Sequence, residues 1–301
     1  MGICSSTRRQ TVSTVAVAGE HSPEVEVESK RRIVSTSRRL SGDHNRASIR
    51  TVGSNVSAGG YLTLEERYSI SDTMLGRGGE AIVFEGIDKF TMERVAIKTV
   101  PRENQKGAES LKKEVEILRK LKHKYIMAFH DFFEEEQRFL LIVECATGGS
   151  LFDRMKVKKK YTEDAARHLL RNLSQAVKYL HDRDIVHRDL KCENVLMKTL
   201  DSDTHILIAD FGYAAVTSED TLTEQIGTAN YVAPEVLQRI PYGKAVDIWA
   251  LGIILYILLS GTFPFSHPNQ ITLFTMIMKA EISFESSRGA WVIFNIHIVV
   301  H

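Results

Sequence analysis

At 301 residues, 43% hydrophobic and 26% charged, the chain has the balance of a soluble globular protein, enough for one large domain or two small ones. The formal net charge of +1 supplies no overall field for nucleic acid, and three scattered cysteines (Cys4, Cys145, Cys192) make neither a disulfide framework nor a zinc site, which points to a reducing, cytoplasmic setting. No apolar signal region opens the chain, and its longest apolar run, Ile248–Leu259, falls short of the roughly 20 residues a membrane-spanning helix needs.

Residues 1–65 read as a disordered basic tail. The first 60 carry nine Lys or Arg against five Asp or Glu and show no sustained hydrophobic period. The opening MGICSS fits the M-G-x-x-x-[ST] pattern for myristoylation of Gly2, and Cys4 is placed to take a palmitate. One myristoyl chain holds a membrane only marginally, so stable attachment needs a second signal, from Cys4 or from basic residues such as Arg8, Arg9 and Lys30. The alternative is an unmodified basic tail.

An ordered domain is expected over 66–285, with strands from near Tyr68 to about Val100 around a Gly-rich interruption. Residues 108–122 predict an amphipathic helix, with Leu111, Val115, Leu118 and Leu121 at helical spacing. FLLIVECA (139–146) predicts a short buried strand. Thr162–His181 predicts a helix capped by Thr162, with Glu163 and Asp164 in the first turn, where the helix dipole favours acid. Short strands are expected at 195–198 and 205–210, then a helix at Asp247–Ser260 that is apolar almost all round and so belongs inside a lobe. Strands first and helices after imply an α+β fold of two lobes, 66–145 and 146–285, with a cleft between.

Several motifs carry chemistry. In LGRGGEAIV (75–83) glycines let backbone N–H groups approach phosphate oxygens, though a Gly-rich turn alone is weak evidence. VAIK ends a strand pattern at Lys98, whose partner is expected to be Glu114 on the following helix. HRDLKCEN (187–194) is the strongest signal. Phosphoryl transfer has a loose transition state, so the protein supplies positioning and charge. Asp189 offers a carboxylate to orient an attacking hydroxyl, Lys191 a cation, and Asn194 a neutral oxygen for Mg²⁺. DFG follows at Asp210–Gly212 and APE at Ala233–Glu235, with Asp210 able to bridge Mg²⁺ to phosphates.

Taken in order, these motifs resemble the eukaryotic protein kinase family over about residues 68–280. Lys191 after HRDL and GTANYVAPE (227–235) are similar to the Ser/Thr branch. ATGGSLFD, APEVLQRIPYGKAVDIWALG and ILLSGTFPF resemble the calcium/calmodulin-dependent kinase group, and KCEN is similar to testis-specific Ser/Thr kinases within that group. The resemblance implies a small, mainly antiparallel β N-lobe with one helix and a larger helical C-lobe. It implies ATP and Mg²⁺ in the cleft and protein Ser or Thr as acceptor. ATP would be held by Leu75, Gly76, Arg77, Gly78, Gly79, Glu80, Ala81, Ile82 and Val83, by Ala96, Lys98, Glu114 and Leu196, and by hinge backbone at Glu144 and Ala146 with Val143 as gatekeeper. Asp189 would be the base beside Lys191 and Thr228, Asn194 and Asp210 the metal ligands, and Asp247 the anchor of the catalytic loop.

Four departures modify this picture. Ala81 stands where the third loop glycine is usual, which implies weaker closure over ATP. Ser150 replaces an acid after Gly-Gly while Glu193 remains, which implies a softened preference for basic substrates. Glu224 stands where many relatives carry a phosphorylated Thr, and pairing with Arg188 would order the loop without phosphate; Thr221 and Thr223 remain alternative phosphosites. The chain ends in SRGAWVIFNIHIVVH, an atypical tail over 286–301, so an incomplete C-lobe with Glu235 unpaired is expected, and any calmodulin-binding segment would lie beyond it. RRIVS (to Ser35) and RRLS (to Ser41) resemble targets of basophilic kinases. The main expectation is an active Ser/Thr kinase, cytoplasmic or attached to a membrane's cytoplasmic face; the alternative is a pseudokinase-like scaffold.

Overall fold

The computed structural model describes residues 62–282. Gly2, Cys4 and the expected basic tail up to residue 61, and the tail over 286–301, lie outside the described residues; the last part of the expected tail, 62–65, is ordered instead, because Thr63 caps a helix that starts at Leu64.

A one-turn helix, α1 (Leu64–Arg67), precedes the expected first strand. Thr63 caps it in a capping box with Glu66, each side chain bonded to the other's backbone N–H. Five strands follow: β1 (Tyr68–Arg77), β2 (Ile82–Asp88), β3 (Arg94–Pro101), β4 (Phe129–Glu134) and β5 (Arg138–Glu144). They form one antiparallel sheet in the order β1-β2-β3-β5-β4. The side-chain period of two divides β3 and β5 between two faces. Val95, Ile97, Leu140 and Ile142 pack with Leu64, Tyr68 and Phe133 on the outer face. Ala96, Val100, Phe139, Leu141 and Val143 join the main core on the inner face. β5 is thus buried on both faces, which explains its continuous apolar run.

The inner face carries α2 (Gln105–Leu118), with Leu111, Val115 and Leu118 buried against it. This helix begins earlier than the sequence suggests because Asn104 caps it, and it ends earlier too. Lys120 and Leu121 donate to Ile117 and Leu118, bonds of the tighter i→i−3 kind, so Leu121 stays buried without continuing the helix.

Beyond β5 the chain is mainly helical: α3 (Leu151–Lys158), α4 (Glu163–His181), α5 (Pro234–Leu237), α6 (Ala245–Ser260) and α7 (Gln270–Lys279). Thr162 caps α4 by accepting from the Ala165 N–H at 3.3 Å, as its sequence signature requires. α6 is buried from Val246 to Leu258 around most of its circumference and packs beside α4. Two short ribbons lie at the cleft, β6 (Ile185–Val186) with β9 (Ala215–Val216) and β7 (Val195–Met197) with β8 (Ile206–Ile208). The Met127 N–H donates to the Ile208 carbonyl at 3.0 Å, which ties the segment before β4 to the helical part. The fold is α+β and bilobal; α1 adds a second helix to the N-lobe, where one was expected.

Candidate active site

Catalytic geometry begins at β3. Its alternation that buries Val95 and Ile97 outward turns Lys98 inward, beside Val83 of β2. α2 presents Glu114 to the same point, and Lys98 Nζ donates to Glu114 Oε2 at 2.7 Å and to Asp210 Oδ1 at 3.3 Å. Burial of the Lys98 ammonium pulls its pKa down, but the two carboxylates outweigh it and hold the pKa above the ordinary lysine value. Burial likewise pushes Asp210 up, and Lys98 and His187 outweigh that, so its carboxyl titrates below its ordinary value. The pair therefore carries opposite charges at neutral pH. Glu114 Oε1 also accepts the Phe211 N–H at 3.3 Å, which links α2 to the segment after β8.

The loop between β6 and β7 carries the sequence's strongest motif. It hangs from α6: Asp247, 1% exposed, accepts the His187 N–H at 2.9 Å and the Arg188 N–H at 3.0 Å, with His181 Nε2 at 2.9 Å. A buried carboxylate needs such donors, because an unpaired charge there is costly. Arg188 and Asp210 both hold positive φ, 67° and 63°, a strained state for residues with a Cβ that tends to concentrate at functional sites.

Asp189 lies at the centre. Its Oδ1 accepts the Thr228 hydroxyl at 2.7 Å, and its Oδ2 accepts Lys191 Nζ at 2.7 Å and Asn194 Nδ2 at 3.1 Å. Lys191 Nζ also donates to Thr228 Oγ1 at 2.9 Å. One carboxylate is thus held by three side chains from two separate segments. Asn194 Nδ2 also donates to the Asp189 carbonyl at 2.9 Å, so its amide oxygen is directed away from Asp189. That oxygen and Asp210 fit a hard Mg²⁺ that completes its shell with phosphate and water. Among the described residues no group of three His, Cys, Asp or Glu could hold a metal without such help.

Above the cleft, Leu75, Gly76 and Arg77 end β1, Gly78–Ala81 form the turn, and Ile82 and Val83 begin β2. The Gly78 N–H donates to the Ala81 carbonyl at 2.9 Å and closes that turn. Ala96 pairs with Val143 across β3 and β5, and Leu196 packs against the core from β7. Glu144 is bound on both sides: its N–H donates to the Ala128 carbonyl at 2.9 Å, and its carboxylate pairs with Lys198 at 2.7 Å. Ala146 follows in the extended hinge, partly buried against the core. Of the residues expected at the nucleotide site, Lys98 and Glu114 are brought together with Asp210, while the others lie on β1, β2, β3, β5, β7 and the connecting segments.

Arg188 reaches the segment after β9. Its Nε donates to the Tyr213 carbonyl at 2.6 Å and its Nη1 to Glu224 Oε2 at 3.0 Å. Glu224's pKa is lowered by its backbone hydrogen bond, and Arg188 adds to the shift. Tyr242 was not anticipated: its hydroxyl donates to the Glu224 carbonyl at 2.6 Å and accepts from Arg188. No local pattern marks it, because it meets Glu224 only through the Leu222–Tyr242 bridge. Glu193 Oε2 accepts the Tyr231 hydroxyl at 3.4 Å. Ser150 caps α3 by accepting the Asp153 N–H at 3.0 Å. Cys192 is fully buried and its thiol is pushed up to about 12, so it is inert at neutral pH.

The protein kinase domain family matches residues 69–293. The chain is 42% identical over 226 residues to calcium/calmodulin-dependent protein kinase type 1 of Caenorhabditis elegans, covering 74% of this chain and 65% of the relative. It is 42% identical over 213 residues to the human type 1B protein, covering 70% and 62%. It is also 40% identical over 220 residues to a serine/threonine-protein kinase H1 homolog of Pinctada fucata, covering 72% and 52%. The chain spans less than two thirds of the length of these relatives. With its two lobes, its Lys98–Glu114 pair and its Asp189 cluster, this chain belongs to the protein kinase domain family.

Proposed function

We propose that the chain is an ATP-dependent protein Ser/Thr kinase with Asp189 as catalytic base. The observation that carries this reading is the Asp189 carboxylate held by Thr228, Lys191 and Asn194, in a cleft also lined by Lys98 and Asp210. A substrate hydroxyl oriented by Asp189 gives up its proton to that carboxylate as its oxygen bonds to the γ-phosphorus of ATP. The bond from that phosphorus to the bridging oxygen breaks, and ADP leaves. Lys191 stabilises charge on the transferring group, and Lys98, fixed by Glu114, holds the α- and β-phosphates. Asn194 and Asp210 would hold Mg²⁺, which neutralises phosphate charge when bound.

Glu193 is the proposed contact for a basic side chain on the substrate. Ser150 is spent on capping α3, so the preference for such substrates is softened. Glu224 paired with Arg188 supports an ordered activation segment without phosphate. Acylation at Gly2 and Cys4 would bring the enzyme to a membrane; a Gly2→Ala variant that stays in the membrane fraction would rule this out.

The decisive assay is transfer of labelled phosphate from ATP to an Arg-x-x-Ser peptide. Asp189→Asn should lower kcat by about 10²–10⁴, the range of general-base contributions, measured at a temperature where circular dichroism shows the variant folded. Equal activity of the two proteins would reject Asp189 as base, and an inactive parent chain would favour the scaffold reading.

A further inference from the structure

The Gly-rich turn is held from outside the sheet. Asn104 Oδ1 accepts the Gly107 N–H at 3.1 Å and caps α2, while its Nδ2 donates to the Glu80 backbone carbonyl at 3.3 Å. Together the two bonds fix the amide's orientation, since the flipped amide would set oxygen against a carbonyl and NH₂ against an N–H. Gly107 makes room for it. A Cβ there would come within 2.6 Å of Asn104 Nδ2 and 3.1 Å of Val100 Cγ1. Glycine weakens a helix relative to alanine, so its presence in the first turn of α2 has a packing reason here. Glu80 is held a second time, by Lys106 Nζ at 3.0 Å from its carboxylate. Both tethers come from the start of the helix that carries Glu114.

We propose that Asn104 is a positioning residue for the nucleotide. Its side-chain amide ties the phosphate-covering turn to the start of α2, so that this turn and the Lys98–Glu114 pair keep one geometry. The tether acts where the turn has Gly78 and Gly79 to stiffen and Ala81 in its third position. The proposal rests on the nucleotide-binding reading of the cleft above.

Asn104→Asp separates the two roles, because Asp caps a helix as well as Asn does but has no donor for the Glu80 carbonyl. Hydrogen exchange, measured without nucleotide, should quicken at residues 78–83 while the amides of 108–118 stay protected. The KM for ATP should rise about fivefold, the factor of one lost net hydrogen bond, with kcat held within about twofold. Melting temperature should fall less in Asn104→Asp, which keeps the cap, than in Asn104→Ala, which loses it as well. Unchanged exchange at 78–83 overturns the tether, and quicker exchange with an unchanged KM overturns the positioning role. The exchange result decides the tether whether or not the parent chain binds ATP; failure to bind ATP would instead reject the kinase reading.

Discussion

Glu224 carries the proposal that a fixed carboxylate orders the activation segment without phosphate. It is a carboxylate facing a single guanidinium, with Tyr242 bonded to both partners. Its pKa is depressed from the ordinary 4.5, so its contribution is present above that value and lost as pH falls through the lower folded pKa. The side chain is 59% exposed, so the effect is modest and screened by solvent. Glu224→Gln should speed proteolysis of residues 217–226 roughly two- to fivefold at pH 7, the range expected of an exposed ion pair. Below the Glu224 pKa the parent chain should converge on the variant. An equal cleavage rate at pH 7 would show the pair to be idle. Glu224 and Arg188 could be matched from the sequence only through a family resemblance, because 36 residues separate them.

At the scale of elements, α2 connects the nucleotide turn, β3 and the segment after β8. Lys98 joins it to the sheet, and the Phe211 N–H joins it to the lower lobe. Glu114 is 4% exposed, so removing its cation strands a buried charge. Lys98→Met should cost about 3 kcal/mol in the urea unfolding free energy, the lower end of the cost of breaking a buried pair. It should also lower phosphoryl transfer about a hundredfold through misplaced phosphates. A variant as stable as the parent would mean that Glu114 finds another donor. The period of α2 was legible in Leu111, Val115 and Leu118, but its start was placed three residues late because the Asn104 cap was not used. Its end was not legible either: after Leu118 the bonds tighten to the i→i−3 kind at Lys120 and Leu121 while Leu121 remains in the core, and only packing decides that. β4 and α3 raised no expectation. FHDFFE places Asp131 inside the lobe, where it accepts the Tyr68 hydroxyl at 2.5 Å and pairs with Arg67 at 2.9 Å, although a lone acid in that segment reads as a surface residue.

For the whole molecule, α6 is the frame on which the chemistry hangs. Its apolar circumference fixes it in the helical lobe, and one buried acid, Asp247, holds the backbone of His187 and Arg188. An amide there turns one acceptor into a donor facing an N–H. Asp247→Asn should therefore cost about 2–3 kcal/mol in unfolding free energy, as for a hydrogen bond to a charged group. It should lower kcat as well, because Asp189 sits two residues beyond His187. A variant with an unchanged urea midpoint and unchanged kcat would show the loop to be held by its other contacts. No described helix is long and apolar enough to cross a membrane, and the apolar run in α6 is spent on this core.

The sequence by itself determined the family motifs and their order along the chain, because each is read at short, local spacings: Asp189 with Lys191 and Asn194, the glycines between β1 and β2, and Asp210 before Phe211. It also determined the inner helix α6 and the cap of α4, which depend on local periodicity and one side chain. Tertiary structure alone decided which distant groups meet. Glu114 reaches Phe211 across 97 residues, and Tyr242 closes on Glu224 across 18. Those contacts arise where two packed lobes bring separate segments within hydrogen-bond reach, and no local pattern records that distance.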